Sequence, residues 1–387
     1  MDLSVDLGEL KLKNPVMVAA GPWARDAASI RRCVEAGAGA VITETLSLEA
    51  NANLSPRLYV GGNGQLFNTK LYSNIQLEQW EMELETLERG DCRLIVSIWG
   101  SSASELSYLA ERAERMGADA VEISVSAPIG TRNKSLSYHT PHLLECARAV
   151  VNTVGVPVLA KLSYEVGNSP EIMDALYQAG VRIVSAIDAL KGISGVDVER
   201  RRALMPTYGG YSGENIRPAA LATTAALRQY TPFRICGCGG IFTAENALEY
   251  LMLGADAVQL ASVIQLRGYE AIAQVLEGLA AWLSAHGHED LSRVRGAALP
   301  SLMPFEDVRP KPLTVVLREP CEDAACDLCI HGCLYGAVSR DEAGCIRIDP
   351  ARCDGCGLCS ARCPQRRIIC LLIHISEPTR LGMISYA

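Results

Sequence analysis

Between Pro15 and Ser262 the chain repeats one unit eight times, a short apolar run followed by an amphipathic stretch. The runs are Pro15–Gly21, Ala38–Glu44, Arg93–Trp99, Ala120–Ser126, Val156–Leu162, Val181–Ile187, Phe233–Gly239 and Ala257–Ser262. They are almost continuously apolar, as parallel strands covered on both faces must be. The stretches between them, such as Ser102–Met116, Leu143–Val154 and Ala244–Leu253, carry the spacing of helices with one buried face. Gly37, Gly117, Gly180 and Gly254 stand just before a run, where a left-handed residue ends a helix. Eight such units predict an α/β chain closed into a (β/α)8 TIM barrel over residues 1–289, with function in the loops at the strand C-terminal ends. A doubly wound open sheet is the rival, but the Gly-x-Gly-x-x-Gly turn expected after its first strand is missing.

Ten of the fifteen cysteines follow position 320, so a second chemistry is concentrated there. Cys353-x2-Cys356-x2-Cys359-x3-Cys363-Pro364 is the run that holds [4Fe–4S] clusters in bacterial ferredoxins. Cys321-x4-Cys326-x2-Cys329-x3-Cys333 repeats it with a longer first gap. In two-cluster ferredoxins the fourth cysteine of each run crosses to the other cluster. The expected sets are therefore Cys321, Cys326, Cys329 and Cys363 on one cluster, with Cys353, Cys356, Cys359 and Cys333 on the other. Structural zinc is the alternative, since Cys-x2-Cys also suits it, but zinc needs only four ligands from one compact knuckle. Residues 318–370 are thus expected to form a small two-cluster ferredoxin-like domain, joined to the barrel by a proline-bearing linker, 290–317. From about Leu372 the sequence reads like a translated sequencing-library adapter, so 371–387 is set apart and informs neither fold nor function.

A net charge of -8 and a pI near 5.4, with scattered basic residues, argue against a nucleic-acid partner. No apolar run approaches the ~20 residues that span a bilayer, and no signal-peptide pattern opens the chain. Cysteines spaced for metal without a secretory signal point to the cytoplasm.

Cys236-Gly-Cys-Gly-Gly-Ile241 closes the seventh run, and Ala261-Ser262 closes the eighth. Loops at these two places frequently bind phosphate in barrels, through bare backbone N–H groups and a helix N-terminus. Lys161 ends the fifth run, where an otherwise apolar strand would carry it to the barrel mouth. A salt bridge to Asp188 or Glu122 is its alternative role.

At these residues the chain resembles the dihydroorotate dehydrogenase family of FMN barrels, and within it the pyrimidine-reducing half of dihydropyrimidine dehydrogenase. The matching stretches run from Leu10-Lys-Leu-Lys-Asn-Pro-Val16 through Asn53-Leu-Ser-Pro-Arg57, Asn68 to Asn74 and Ala160-Lys-Leu162. They continue through Thr207-Tyr-Gly-Gly-Tyr-Ser-Gly213 and Ile216-Arg-Pro218 to Val258-Gln259. The resemblance implies FMN held at Ala20, Gly21, Thr45, Lys161, Gly213, Gly239, Gly240, Ala261 and Ser262, with Glu44 facing it. It implies substrate contacts from Asn68, Asn74, Ser124 and Asp188.

The loop after the fourth run departs from that family. Its pattern is Asn-x-Ser-(Cys or Ser)-Pro-Asn/His, the Cys or Ser being the general acid/base; here Ser124-Val-Ser-Ala-Pro-Ile129 places Ala127 there, which carries no exchangeable proton. Asp188 replaces a usual asparagine, and Glu44 a lysine that faces flavin and substrate. A carboxylate at Glu44 would repel an anionic substrate, so an uncharged ring is expected. Arg132, Lys134, Tyr138 and His139 in the following loop, together with Tyr72 and Glu44, are the candidate replacement acids. The resulting expectation is an FMN and iron–sulfur oxidoreductase acting on a C=C or CH–CH bond of a cyclic substrate. It would belong to a homo- or hetero-oligomer and exchange electrons with an NAD(P)H-dependent flavoprotein subunit or a ferredoxin, because no second nucleotide fingerprint is present. The alternative is an electron-transfer or scaffold subunit whose barrel has lost substrate chemistry.

Overall fold

The computed structural model describes residues 2–61, 64–308, 313–321, 323 and 325–372. The chain divides into two compact units, Met1–Leu302 and Met303–Ala387.

The first unit is the TIM barrel that the eightfold pattern predicts. Its strands are β1 (Val16–Val18), β2 (Ala40–Ile42), β3 (Arg93–Ile98), β4 (Ala120–Ser124), β5 (Val158–Leu162), β6 (Ile183–Ala186), β7 (Arg234–Cys238) and β8 (Ala257–Leu260). Neighbours pair in parallel in sequence order, and β8 closes on β1 with Val258 opposite Val16. The strands are shorter than the apolar runs. Glu44, Val125 and Ser126, Ile187, Gly239 and Ser262 have already left the sheet, because the loops at this end turn inward to build a site.

Helices pack around the strands through the faces that their spacing marks. Along the helix Ala103–Arg115, Leu106, Leu109, Ala110 and Ala113 are buried, and the Ser102 hydroxyl caps its start by accepting from the Glu105 N–H. Burying side chains of Leu size contributes about 1.5–3 kcal/mol each. Gly37, Gly117, Gly180 and Gly254 have φ of 95°, 83°, 104° and 92°, the left-handed conformation expected where each helix stops.

Two features of this unit have no counterpart in the eightfold pattern. A four-stranded antiparallel sheet joins Leu190–Gly192, Gly209–Ser212, Leu66–Asn68 and Leu58–Val60. It is built from the connections after β2 and β6, and Phe67 stacks on Tyr211 with ring centroids 4.9 Å apart. At the other end of β8, fully buried Asp256 accepts from Arg228 at 2.5 Å and from the Ile235 N–H at 2.9 Å. Arg234 and Arg295 each lie 3.5 Å from the same carboxylate. Arg295 belongs to the segment expected to be a linker, and Leu291 and Val294 from that segment are buried in the barrel core. Residues 290–302 therefore pack as part of the first unit.

The second unit is small and built in two similar halves. β9 (Leu313–Leu317) pairs antiparallel with β12 (Ile368–Leu372), and β10 (Val338–Arg340) with β11 (Ile346–Ile348). Short helices, Leu328–Gly332 and Leu358–Arg362, carry the third cysteine of each run, Cys329 and Cys359. β12 extends two residues into the segment set apart as a tail, whose remainder lies outside the described residues. No helix among the described residues is long and apolar enough to cross a membrane.

Candidate active site and iron–sulfur cavities

A cavity opens at the C-terminal ends of the barrel strands.

Its floor is a buried polar relay across four strands. Lys161 Nζ donates to Gln259 Oε1 at 2.8 Å, Gln259 Nε2 to Ser185 Oγ at 2.7 Å, and Ser185 Oγ to Glu122 Oε2 at 2.8 Å. The acceptor of Lys161 is thus Gln259, in place of the salt bridge to Asp188 or Glu122 weighed from sequence. Burial works against the Lys161 charge, but Cys238, Glu122 and Asp188 outweigh it and hold the ammonium above the ordinary lysine range. Burial pushes the Glu122 carboxyl up, although Lys161 and Ser185 pull the other way. Glu122 Oε1 is buried without a hydrogen-bond partner among the described residues.

Glycines shape the opposite end. Gly239 and Gly240 have φ of 130° and 67°. A Cβ on Gly239 would lie 2.8 Å from Ala220 Cβ, and one on Gly240 2.8 Å from Arg217 Cβ. Tyr250 Oη fixes this turn by donating to the Gly239 carbonyl at 2.5 Å. Ser262 Oγ donates to Ser212 Oγ at 2.9 Å beside it. Gly213 stands behind the wall, its carbonyl 3.0 Å from where a Gly240 Cβ would be. Ala20, Gly21, Thr45 and Ala261 also line the cavity. A bare, glycine-walled end with two serine hydroxyls suits a phosphate, and a buried ammonium suits the electron-rich edge of a reduced flavin. These residues fit FMN.

The remaining wall carries the groups expected to meet substrate. Asn68, Ser124, Ala127 and Asp188 all line the cavity, whereas Asn74 lies in an adjacent cleft. Tyr72 Oη donates to the Ser126 carbonyl at 2.7 Å and lies 3.0 Å from Ser124 Oγ. Glu44 does not stand as a bare carboxylate. Lys70 Nζ donates to Glu44 Oε1 at 2.6 Å, with both side chains under 5% exposed. The repulsion of anions expected from Glu44 alone is therefore cancelled by the Lys70 ammonium. Lys70 lies inside the Asn68–Asn74 match, and its one signal in the sequence is a lysine flanked by Thr69 and Leu71. Arg132, Lys134, Tyr138 and His139 are absent from the cavity lining. Tyr138 is 74% exposed, with Lys134 Nζ over its ring at 4.8 Å.

In the second unit two small cavities each meet four cysteines. One is lined by Cys321, Cys326, Cys329 and Cys363, the other by Cys333, Cys353, Cys356 and Cys359. This is the crossed grouping read from the spacing. The Ala337 and Arg367 N–H groups donate to Cys333 Sγ and Cys363 Sγ, each at 3.3 Å. Burial opposes it, but backbone N–H groups led by that of Ala337 hold the Cys333 thiol below its ordinary range, whereas burial pushes Cys329 up and Cys359 up to about 11. Apolar walls from Ile346 and Ile368 on one side and Val315 and Val338 on the other suit clusters shielded from water.

A parallel barrel whose cavity joins a glycine-walled end to a buried lysine, followed in the chain by a unit with two cysteine-lined cavities, defines a flavin and iron–sulfur oxidoreductase. The family model for dihydroorotate dehydrogenase matches residues 2–283, and that for a 4Fe-4S binding domain matches residues 346–366. The chain belongs to the dihydroorotate dehydrogenase family, whose members oxidise or reduce CH–CH bonds with FMN. It is 31% identical over 301 residues to the catalytic subunit of an NAD-dependent dihydroorotate dehydrogenase B from Pyrococcus abyssi, covering 77% of this chain and 99% of the relative. The corresponding subunit from Methanocaldococcus jannaschii is 31% identical over 294 residues, 73% of this chain and 93% of the relative. A subunit of an NAD-dependent dihydropyrimidine dehydrogenase from Escherichia coli K12 is 29% identical over 325 residues, 79% of each chain.

Proposed function

We propose that the chain is the substrate-handling subunit of a cytoplasmic assembly that reduces or oxidises the C=C or CH–CH bond of an uncharged, cyclic, dihydropyrimidine-like compound. Bound FMN supplies hydride chemistry and exchange between single electrons and pairs. Lys161, Gly21, Thr45, Gly239, Gly240 and Ser262 hold it, while Asn68, Ser124 and Asp188 orient the ring. Two [4Fe–4S] clusters in the crossed cysteine sets pass electrons to a separate NAD(P)H-dependent flavoprotein or a ferredoxin. The observation that carries this reading is the cavity that joins a phosphate-suited end, a buried lysine and a polar wall on which Lys70 cancels the charge of Glu44.

The test is anaerobic reduction of the holoprotein followed by exposure to cyclic unsaturated compounds. Reoxidation of flavin by an uncharged ring, faster than by a carboxylated one, is the expected result. Flavin that stays reduced with every ring compound supports the rival reading, an electron-transfer subunit, which Ala127 favours because it brings no proton to the cavity wall.

A further inference from the structure

Lys70, with Pro22, lines both the main cavity and the adjacent cleft. Its side chain is 3% exposed. The cleft beyond it carries Arg25, Asp26, Arg57, Asn74 and Glu83. Lys70 Nζ donates to Glu44 Oε1 at 2.6 Å and to the Tyr72 carbonyl at 3.3 Å. An ammonium has three N–H bonds, so one is left to face a ligand. Glu44 Oε2 is buried and has no hydrogen-bond partner among the described residues.

Ala127, Tyr72 and Ser124 on this wall are poor proton donors. Ala127 has none to give. The Tyr72 hydroxyl is committed to the Ser126 carbonyl, and burial pushes its ionisation far above the tyrosine range. Ser124 Oγ is occupied with Tyr72 Oη and, at 3.3 Å, the Ser126 carbonyl.

We propose that Lys70 is the catalytic acid and base at the ring carbon, positioned by Glu44 and resupplied with protons through the adjacent cleft. This rests on the oxidoreductase reading above. In reduction, one carbon of the C=C bond takes a hydride from reduced flavin, which becomes oxidised. A Lys70 N–H bond breaks as a C–H bond forms at the neighbouring carbon, and the π bond is lost. Neutral Lys70 then recovers a proton from water in the cleft. Oxidation runs the same steps backwards, with neutral Lys70 accepting the proton and oxidised flavin the hydride. Burial lowers the Lys70 pKa, Glu44 opposes this, and Arg57 and Arg25 facing the cleft add to the lowering. That moves an ammonium towards the range in which general acids work best.

Lys70→Arg tests the role, because a guanidinium keeps a cation opposite Glu44 but does not release a proton. Flavin content and anaerobic reduction should match wild type, while reoxidation by the ring substrate falls about 10²–10⁴-fold. Adding Ala127→Cys should recover part of that loss. By NMR of isotope-labelled lysine side chains, a resonance missing from Lys70→Arg should titrate below the ordinary value of 10.5. Should the guanidinium displace flavin, Lys70→Met with Glu44→Met removes both charges together and should give the same loss. Wild-type reoxidation by either variant, or an ordinary titration of Lys70, overturns the proposal. The two failures are distinguishable: flavin that no ring compound reoxidises in wild type removes the reaction itself, whereas an active Lys70→Arg removes only Lys70.

Discussion

Lys161 Nζ lies 2.8 Å from Gln259 Oε1, linking β5 to β8 across the barrel interior. The lysine thereby faces the cavity at a fixed angle while its charge is shared with a neutral amide, leaving Glu122 at the far end of the relay. Lys161→Ala should therefore cut bound FMN severely, as read from flavin absorbance per chain. Gln259→Leu should keep some flavin but lower its affinity, because the ammonium loses its positioning partner.

Glu122 gives a pH test. Its folded pKa is raised above the ordinary 4.5, chiefly by burial. The sign follows directly: the folded state holds this proton more tightly, so the stability it contributes is complete below about 4.5 and is lost as pH rises through the folded value. Glu122→Gln mimics the protonated group. Chemical denaturation should show the variant no more stable than wild type at acid pH and relatively more stable under alkaline conditions.

The crossed cysteine sets predict which cluster each substitution removes. Cys363→Ala should disturb the cluster of Cys321, Cys326 and Cys329, and Cys333→Ala that of Cys353, Cys356 and Cys359. Wild type reconstituted anaerobically should carry roughly eight irons, as two [4Fe–4S] centres require. Iron analysis with EPR of the reduced protein distinguishes the two losses; tightly bound zinc would contradict both.

Glu44→Gln would leave Lys70 as an uncancelled buried cation. Two unit charges ~4 Å apart at an effective dielectric near 20 interact by about 4 kcal/mol, reduced by solvent near the mouth. The variant should bind carboxylated rings better than wild type by a factor of ten or more, roughly 1.4 kcal/mol, measurable by calorimetry. Unchanged ligand preference would place the pair outside the substrate's reach.

The barrel was legible because each parallel strand must be apolar on both faces, which leaves a mark of six or seven residues, in several cases with a glycine shortly before it. The sheet over the mouth left no such mark. Its strands are three or four residues long, and Leu66-Phe-Asn68, besides its neighbour Leu58-Tyr-Val60, pairs with Gly210–Ser212, far away in the sequence. The glycine-rich turn, Lys161 and the cysteine sets were visible because each chemistry demands a fixed residue type at a fixed interval. The Glu44–Lys70 pair was not, since its members lie 26 positions apart and meet only once the mouth is folded. Glu44 therefore looked unpaired in the sequence.

Asp256 decides where the barrel can be cut. Its third arginine, Arg295, and the core residues Leu291 and Val294 come after the eightfold pattern has finished. The Gly296 and Ala298 N–H groups bind the carbonyls of Leu251 and Met252 at 2.9 and 3.0 Å. A fragment ending at residue 289 would expose apolar surface and leave a fully buried carboxylate with fewer cations, inviting aggregation on expression. One ending at Leu302 keeps the seal, so the minimal flavin-binding module is longer than its repeats.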